Sequence, residues 1–518
     1  MSIDELRAFQ HYREKTMVQL LFRKDDDFWD GALLRMSHED RFLECFVIAL
    51  SSLDEAYRLR TSINQHDLAL QKYTFSLDRY QKGIEGLRDL MKEGQETELI
   101  LSACLVCICV ELWHGDNMNA VAHAMNGYQL AISATAKKPK GTGGALLTLL
   151  TSMLHRLCIT LGIEGFGTSA IEASKDRFED RSFALFKPEN FLDCQRQFHM
   201  LLERYVAMTA GETCDTPGAV ALRAWLECWY ENSVQVFGEQ LKTDMHARML
   251  AMQYHLVYAM AEAVSARDET LYDKYCDNFE QCVNFLEPYV QARWTSRSTV
   301  KSTRTLEPSI MIVLTFVTFK CRERQLRRKA LRLLYRTRRL EGLAHSAIMA
   351  AFIEQVVAFE EGSDTVTGYA AAGFPQNLRR IRLTQFSYDP GCLRIGSQGD
   401  TDDYWQHDPP TITYNYEEVS SPGVLHAVTF RLRPHFSVSG FGMKSCFWYP
   451  MSRPGHLPTI MDEEIPFETR ALEGPHMGYN PFGGVFNNDV ENMLYFRFFS
   501  LRPTGLVIPR SAGSWAFW

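Results

Sequence analysis

Apolar positions along the first 360 residues recur mostly at steps of three and four, the signature of helices that bury one face. One stretch departs from that rhythm. From Leu99 to Trp113 nearly every residue is apolar, with only Ser102 and Glu111 interrupting. A helix apolar all round must be covered on all sides, and about fifteen residues are too few to span a bilayer, so a soluble core is expected. Gly115-Asp116-Asn117 breaks the run. A second helix follows, with Ala120, His123, Gly127 and Leu130 on one face. The small residues there predict close packing of the two helices as an antiparallel hairpin.

Before this pair, residues 3–24 read as an opening helix. Ser37, three residues before Asp40, suggests a capping-box-like start for the stripe Leu43, Phe46, Val47, Leu50, Leu53 and Tyr57. Leu70, Tyr73, Leu77, Tyr80, Ile84 and Leu87 trace another amphipathic helix, with Gly94 ending that segment. After the central pair, a loop (137–144) leads to a helix over Leu146–Leu161, then a polar surface stretch at 162–187. Helical patterns resume at 188–210, 218–237, 244–266 and 268–287, the last limited by Pro288. A Ser/Arg/Thr-rich connection (295–306) precedes a long helix at 308–340 and another at 344–361.

The pattern changes after Gly362. Leu378–Tyr388 and Cys392–Ser397 read as short strands around the turn Asp389-Pro390-Gly391. Residues 403–518 hold twelve of the nineteen prolines, which excludes a continuing long helix. The expected fold is mainly α: an irregular array of antiparallel helix hairpins (1–362), a short β element or linker (363–402), and an irregular Pro- and aromatic-rich C-terminal tail (403–518). Some strand is expected in the tail, such as Val424–Arg433.

Composition is that of a globular protein, 46% hydrophobic and 23% charged, with a formal charge of −8. A mildly acidic surface repels phosphate backbones, so nucleic-acid contact would need a local basic patch. Thirteen cysteines scattered in apolar runs suit reduced, buried thiols. The charged N-terminus lacks the apolar stretch of a signal peptide, and the expectation is a soluble intracellular protein without a membrane span.

Chemical motifs are sparse. Cys104-x-x-Cys107 places two thiols on one helix face, but zinc needs four ligands, no second such pair occurs, and Cys109 points elsewhere. The expected reading is core thiols and no metal. Lys137–Gly144 lacks the lysine–serine/threonine ending of a phosphate loop and no strand precedes it. His123 and His155 lie in helices with no visible nucleophile or orienting acid. With no G-x-S-x-G elbow and no H-E-x-x-H, neither catalysis nor a cofactor is expected, and no residue is assigned a catalytic, cofactor-binding or metal role.

The densest charge feature is Lys320–Arg339, with ten basic residues against one acid, Glu323. The simplest reading is a solvated helix face with Leu326, Leu331, Leu334 and Tyr335 packing inward. Nuclear import through Arg327, Arg328 and Lys329, or a DNA contact, are the functional readings, and both need solvent-facing side chains.

Several stretches, in order, resemble one family. FQHYREKTMVQL, DDFWDGALLRMSHEDRFLECFVIALSSLDEAYR, ALQKYTFSLDRYQKGIEGL and LILSACLVCICVELWHGDNMNAVAHAMNGYQL resemble the fungal-specific transcription factor domain. That domain is the helical middle region of fungal regulators that carry a six-cysteine binuclear zinc cluster. RRKALRLLYRTRRLEGLAHSAIMAAFIEQVVAFEE followed by RRIRLTQFSYDP resembles the way such regions end, so the similarity covers roughly residues 7–390. It implies a transcription-regulator-type protein, nuclear and also cytoplasmic, acting through protein partners of the transcription machinery, another regulator or a small-molecule effector. The family's zinc cluster lies N-terminal to the helical region, whereas the first cysteine here, Cys45, stands alone on a predicted helix. No zinc ligand and no sequence-specific DNA binding by this chain alone are therefore expected. The alternative is a non-enzymatic helical scaffold or adaptor unrelated to transcription.

Overall fold

In a computed structural model of the chain, the described residues are 1–450 less 21–26, 61–64, 94–95, 115–116, 138–143, 164–186, 210–215, 267, 296–302, 306–309, 338, 342–343, 362–379, 390–410, 419–424 and 439–443. They are mainly α. Helices α1 (Ile3–His11), α2 (Met17–Leu20), α3 (Leu33–Glu39), α4 (Arg41–Arg60) and α5 (His66–Glu93) form the N-terminal part. Helices α6 (Thr97–His114), α7 (Asn117–Lys137) and α8 (Ala145–Ile163) follow, then α9 (Phe191–Thr209), α10 (Thr216–Phe237) and α11 (Met245–Ala266). A 3-10 segment, Glu269–Tyr275, leads into α12 (Cys276–Thr295). The set closes with α13 (Ile310–Lys320), α14 (Arg324–Thr337) and α15 (Ser346–Glu361).

Every residue from Leu99 to Trp113 is buried. By length and composition α6 alone among the described helices could cross a membrane, yet its apolar length is spent inside the protein. The close approach expected at α7 is real: a Cβ on Gly127 would stand 3.3 Å from Leu154 of α8 and 3.4 Å from Cys104 of α6. One contiguous core runs from Phe9 through α6 to Ile381.

Several boundaries differ from expectation for physical reasons. The box that caps a helix start is at Ser2, not Ser37. The Glu5 amide donates to Ser2 Oγ at 3.3 Å and the Ser2 amide to Glu5 Oε2 at 2.5 Å. Ser37 lies inside α3 and donates to the Leu34 carbonyl. The opening helix passes through a π turn at Tyr12–Thr16, where Tyr12 Oη reaches the Trp29 carbonyl and Thr16 Oγ1 reaches buried Asp54. Pro288 does not end α12, which runs on to Thr295 with Leu286 and Val290 in the core. One missing intrahelical hydrogen bond is offset by that packing.

In α5, Leu70 and Leu77 are exposed, while Ala69 and Ser76 are buried. The helix meets α4 through small residues: a Cβ on Gly83 would fall 2.7 Å from the Phe46 ring, and one on Gly86 2.3 Å from Phe42 Cβ. The rest of the expected stripe does face inward, with Leu87 buried, Tyr73, Tyr80 and Ile84 packed against the core, and the Tyr80 ring 5.6 Å from that of Phe46. Only Leu70 and Leu77 fall outside it, where close approach is made by small residues.

Past α15 the backbone pairs as strands Ile381–Asp389, Thr411–Glu418, Leu425–Val438 and Lys444–Pro450, each antiparallel to the next. Three short strands, Thr303–Thr305, Arg339–Glu341 and Ala344–His345, pair near α15. Cys392–Ser397, nearly all of the 162–187 and 137–144 stretches, and residues 451–518 lie outside the described residues.

Candidate functional site

The long helix expected at 308–340 is two helices, α13 and α14, separated by Cys321–Glu323. The break follows from where the charges go. Lys320, Arg322 and Arg327 have at most 1% of their surface exposed, and Arg328 is buried too. A straight helix would place these side chains on different faces; turning the chain at 321–323 lets all four point inward.

Their acidic partners come from far along the sequence. Lys320 Nζ donates to both oxygens of Glu269 at 2.9 Å, and lies 5.0 Å from the centre of the Tyr272 ring. Arg322 donates from Nη1 to the Lys320 carbonyl at 2.7 Å and from Nη2 to Glu360 Oε1 at 2.9 Å. Arg327 donates from Nε to the Thr318 carbonyl at 2.8 Å and from Nη2 to Glu360 Oε2 at 2.5 Å. Arg328 Nη2 reaches Glu361 Oε2 at 2.7 Å. Glu360 Oε1 also accepts the Ile381 amide at 3.0 Å, tying the first long strand to the end of α15. Nearby, Arg380 grips Asp273 and donates to the Glu269 carbonyl at 3.3 Å.

Four buried cations thus meet three buried carboxylates. Burial works against the charged form of Lys320 and lowers it to about 8, the Glu269 carboxylate recovering part of the loss. Burial would raise Glu360, but the two guanidiniums at Arg322 and Arg327 more than offset it and hold it below the usual carboxylate range. Such a cluster is a strut: removing one partner strands charge in a dry interior.

One outer member of the basic run is engaged as well. Lys329 reaches Glu287 at 2.8 Å and Asn284 at 3.0 Å. The expected inward packing of Leu326, Leu331 and Leu334 is present, and Tyr335 Oη donates to buried Glu354 at 2.5 Å. The arginines that the import reading needs at the surface, Arg327 and Arg328, are therefore inside. The solvated-face reading holds for the partly exposed Arg324, Lys329, Arg332 and Arg336 and fails for Lys320, Arg322, Arg327 and Arg328.

The remaining sequence candidates are accounted for by packing. Cys104, Cys107 and Cys109 are buried in α6; burial pushes Cys104 up to about 12 and raises the other two further, so all three stay as thiols. Among the described residues no group of three or more His, Cys, Asp or Glu is placed to hold a metal ion. His123 is half-buried on α7. His155 stacks on Tyr128, with ring centroids 5.2 Å apart, and stands 3.1 Å from Glu203 Oε2. Sequence reasoning missed that acid, since it lies on another helix. Cys158, one turn along from His155, gives no nucleophile: its thiol donates to the Ala124 carbonyl, and burial pushes it up to about 12.

Comparison with protein-family models, curated proteins and solved structures finds no match to this chain.

Proposed function

We propose that this chain is a transcription-regulator-type helical protein without its own DNA-binding zinc cluster, acting through protein or effector contacts. Its helices are arranged as an irregular array of antiparallel hairpins. The observation that carries the reading is the ordered set of segments resembling the fungal-specific transcription factor domain, all of which feed one continuous core from Phe9 to Ile381. The basic run 320–339 spends Arg322, Arg327 and Arg328 on that core, so those arginines are not available as an exposed import signal. Protein partners of the transcription machinery or another regulator, and a small-molecule effector, are the classes of contact proposed. The protein is nuclear with a cytoplasmic pool, and is not an enzyme.

The test is to tether the full chain to a heterologous DNA-binding module and read a reporter. A several-fold change in output, up or down, is expected. Unchanged output with the fusion folded, expressed and nuclear would overturn the reading and favour the helical scaffold.

A further inference from the structure

The chain returns to the helical body at Arg380-Ile381, and it does so through two carboxylates. Arg380 places Nη1 3.1 Å from Asp273 Oδ1 and reaches Asp273 Oδ2 through Nη2, a two-pronged grip on one acid. The same Nη1 donates to the Glu269 carbonyl at 3.3 Å. One residue on, the Ile381 amide donates to Glu360 Oε1 at 3.0 Å. The Ile381 side chain is 1% exposed and belongs to the core. Successive side chains of an extended chain leave on opposite sides, so an arginine followed by an aliphatic residue offers Asp273 one and the core the other.

The dependence runs one way. Every buried cation of the cluster has a carboxylate from the helical body: Lys320 has Glu269, Arg322 and Arg327 share Glu360, and Arg328 has Glu361. Departure of residues 380–381 breaks none of these pairs. Glu360 Oε1 would give up the Ile381 amide and keep Arg322 at 2.9 Å. Asp273, whose side chain is 28% exposed, would take water in place of the guanidinium. Undocking therefore strands no charge in a dry interior, unlike the loss of Glu360 itself. What it gives up is the burial of one aliphatic side chain and a partly exposed ion pair.

We propose that Asp273, the Glu269 carbonyl and Glu360 form a socket for an extended arginine–aliphatic pair, filled in cis by Arg380-Ile381, and that the strand Ile381–Asp389 is a releasable strap on a helical body that stands without it. A guanidinium suits the socket better than an ammonium, because two nitrogens meet the two oxygens of one carboxylate. The partner that fits is an extended segment carrying arginine followed by an aliphatic residue. It competes poorly while the strap is docked, since the cis pair is present at high effective concentration.

The experiment uses the full chain. In Asp273→Ala the grip on Arg380 is lost, and trypsin should cut the native chain after Arg380 several-fold faster than in the parent, because cleavage needs the strand freed from its dock. The melting temperature should stay within a few degrees, with Arg322 and Arg327 still closed to phenylglyoxal. A second variant, Arg380→Ala with Ile381→Ser, empties the socket. By fluorescence anisotropy, a labelled peptide of residues 380–389 should bind it at least tenfold more tightly than it binds the parent. That gain should vanish when the peptide carries Arg380→Ala, or when Asp273→Ala is added to the chain. Equal cleavage of Asp273→Ala and parent, or peptide binding that ignores Asp273, would overturn the socket. Unfolding of either variant, with Arg322 and Arg327 opened to phenylglyoxal, would overturn the proposal too, because the helical body would then depend on the strap.

Discussion

Arg327 and Glu360, 33 residues apart in sequence and both without exposed surface, meet at 2.5 Å between Nη2 and Oε2. Glu360 serves Arg322 through its other oxygen, at 2.9 Å. One carboxylate thus holds two buried guanidiniums, one from the α13–α14 turn and one from α14.

Removing that carboxylate while keeping its shape should be costly. Glu360→Gln takes the nearer carboxylate from two buried cations, leaving Arg322 only Glu269 at 3.8 Å and Arg327 only Glu361 at 4.0 Å. The expected loss is about 3–5 kcal/mol, the usual consequence of breaking a buried pair from one side. Urea unfolding of the variant against the parent measures it. A loss under about 1 kcal/mol, the scale of a surface pair, would contradict the buried cluster.

The triple change of Arg327, Arg328 and Lys329 to Gln is expected to lower the melting temperature sharply. An exposed import signal would instead give relocation at unchanged stability, because Gln keeps helix propensity. Circular dichroism melts, read alongside microscopy of the tagged variant, distinguish the two. A cytoplasmic variant with the parent's melting temperature would defeat the account.

Glu354 supplies a pH test. Burial raises it to about 7, with the Tyr335 hydroxyl offsetting part of the shift. A carboxyl whose folded value lies above its unfolded one binds more protons when folded. Its contribution is therefore greatest below about pH 4.5 and declines as pH rises towards 7. The decline is at most about 3 kcal/mol, from the size of the shift. Glu354→Gln keeps an acceptor for Tyr335 and should remove that decline, so parent and variant should diverge in stability between pH 5 and 7.5, the variant gaining. Parallel stability–pH curves would contradict a buried, neutral Glu354.

At the α4–α5 contact, Gly86→Ala would place a methyl 2.3 Å from Phe42 Cβ, which cannot move without its backbone. The expected cost is about 1–3 kcal/mol of overpacking, despite the higher helix propensity of alanine. A melting temperature at or above the parent's would show that the two helices are further apart than described.

DNA binding should be weak and non-specific. With Lys320, Arg322, Arg327 and Arg328 committed internally, fewer phosphate contacts remain to this run, and the salt dependence of any binding should be shallower than ten free cations would give. Fluorescence anisotropy across a salt series checks the slope. A footprint that survives physiological salt with competitor DNA would contradict it.

Much of the helical layout was legible because it is written locally. The all-round apolar run Leu99–Trp113 reads directly as a buried helix, and the small residues of α7 read as close packing. On α5 the stripe was legible at Tyr73, Tyr80, Ile84 and Leu87 and failed at Leu70 and Leu77, because Ser76, Gly83 and Gly86 share the contact with α4 and a search for large apolar residues passes over them. The cluster at 320–328 was illegible for a different reason. Its cations are contiguous, whereas Glu269, Glu360 and Glu361 arrive from 33 to 51 residues away, so counting charge within a window finds only the unpaired half. The fold of a chain decides whether such a run faces water, and ten basic residues in twenty give no hint of a dry interior.

The most direct test of that interior is arginine modification on the native full chain. Phenylglyoxal labelling followed by peptide mapping should leave Arg322 and Arg327 unmodified while Arg7, whose side chain is 67% exposed, reacts readily. All three should react once the protein is unfolded in urea. Labelling of Arg322 and Arg327 at the rate of Arg7 in the native state would contradict the buried cluster and return the run 320–339 to the surface.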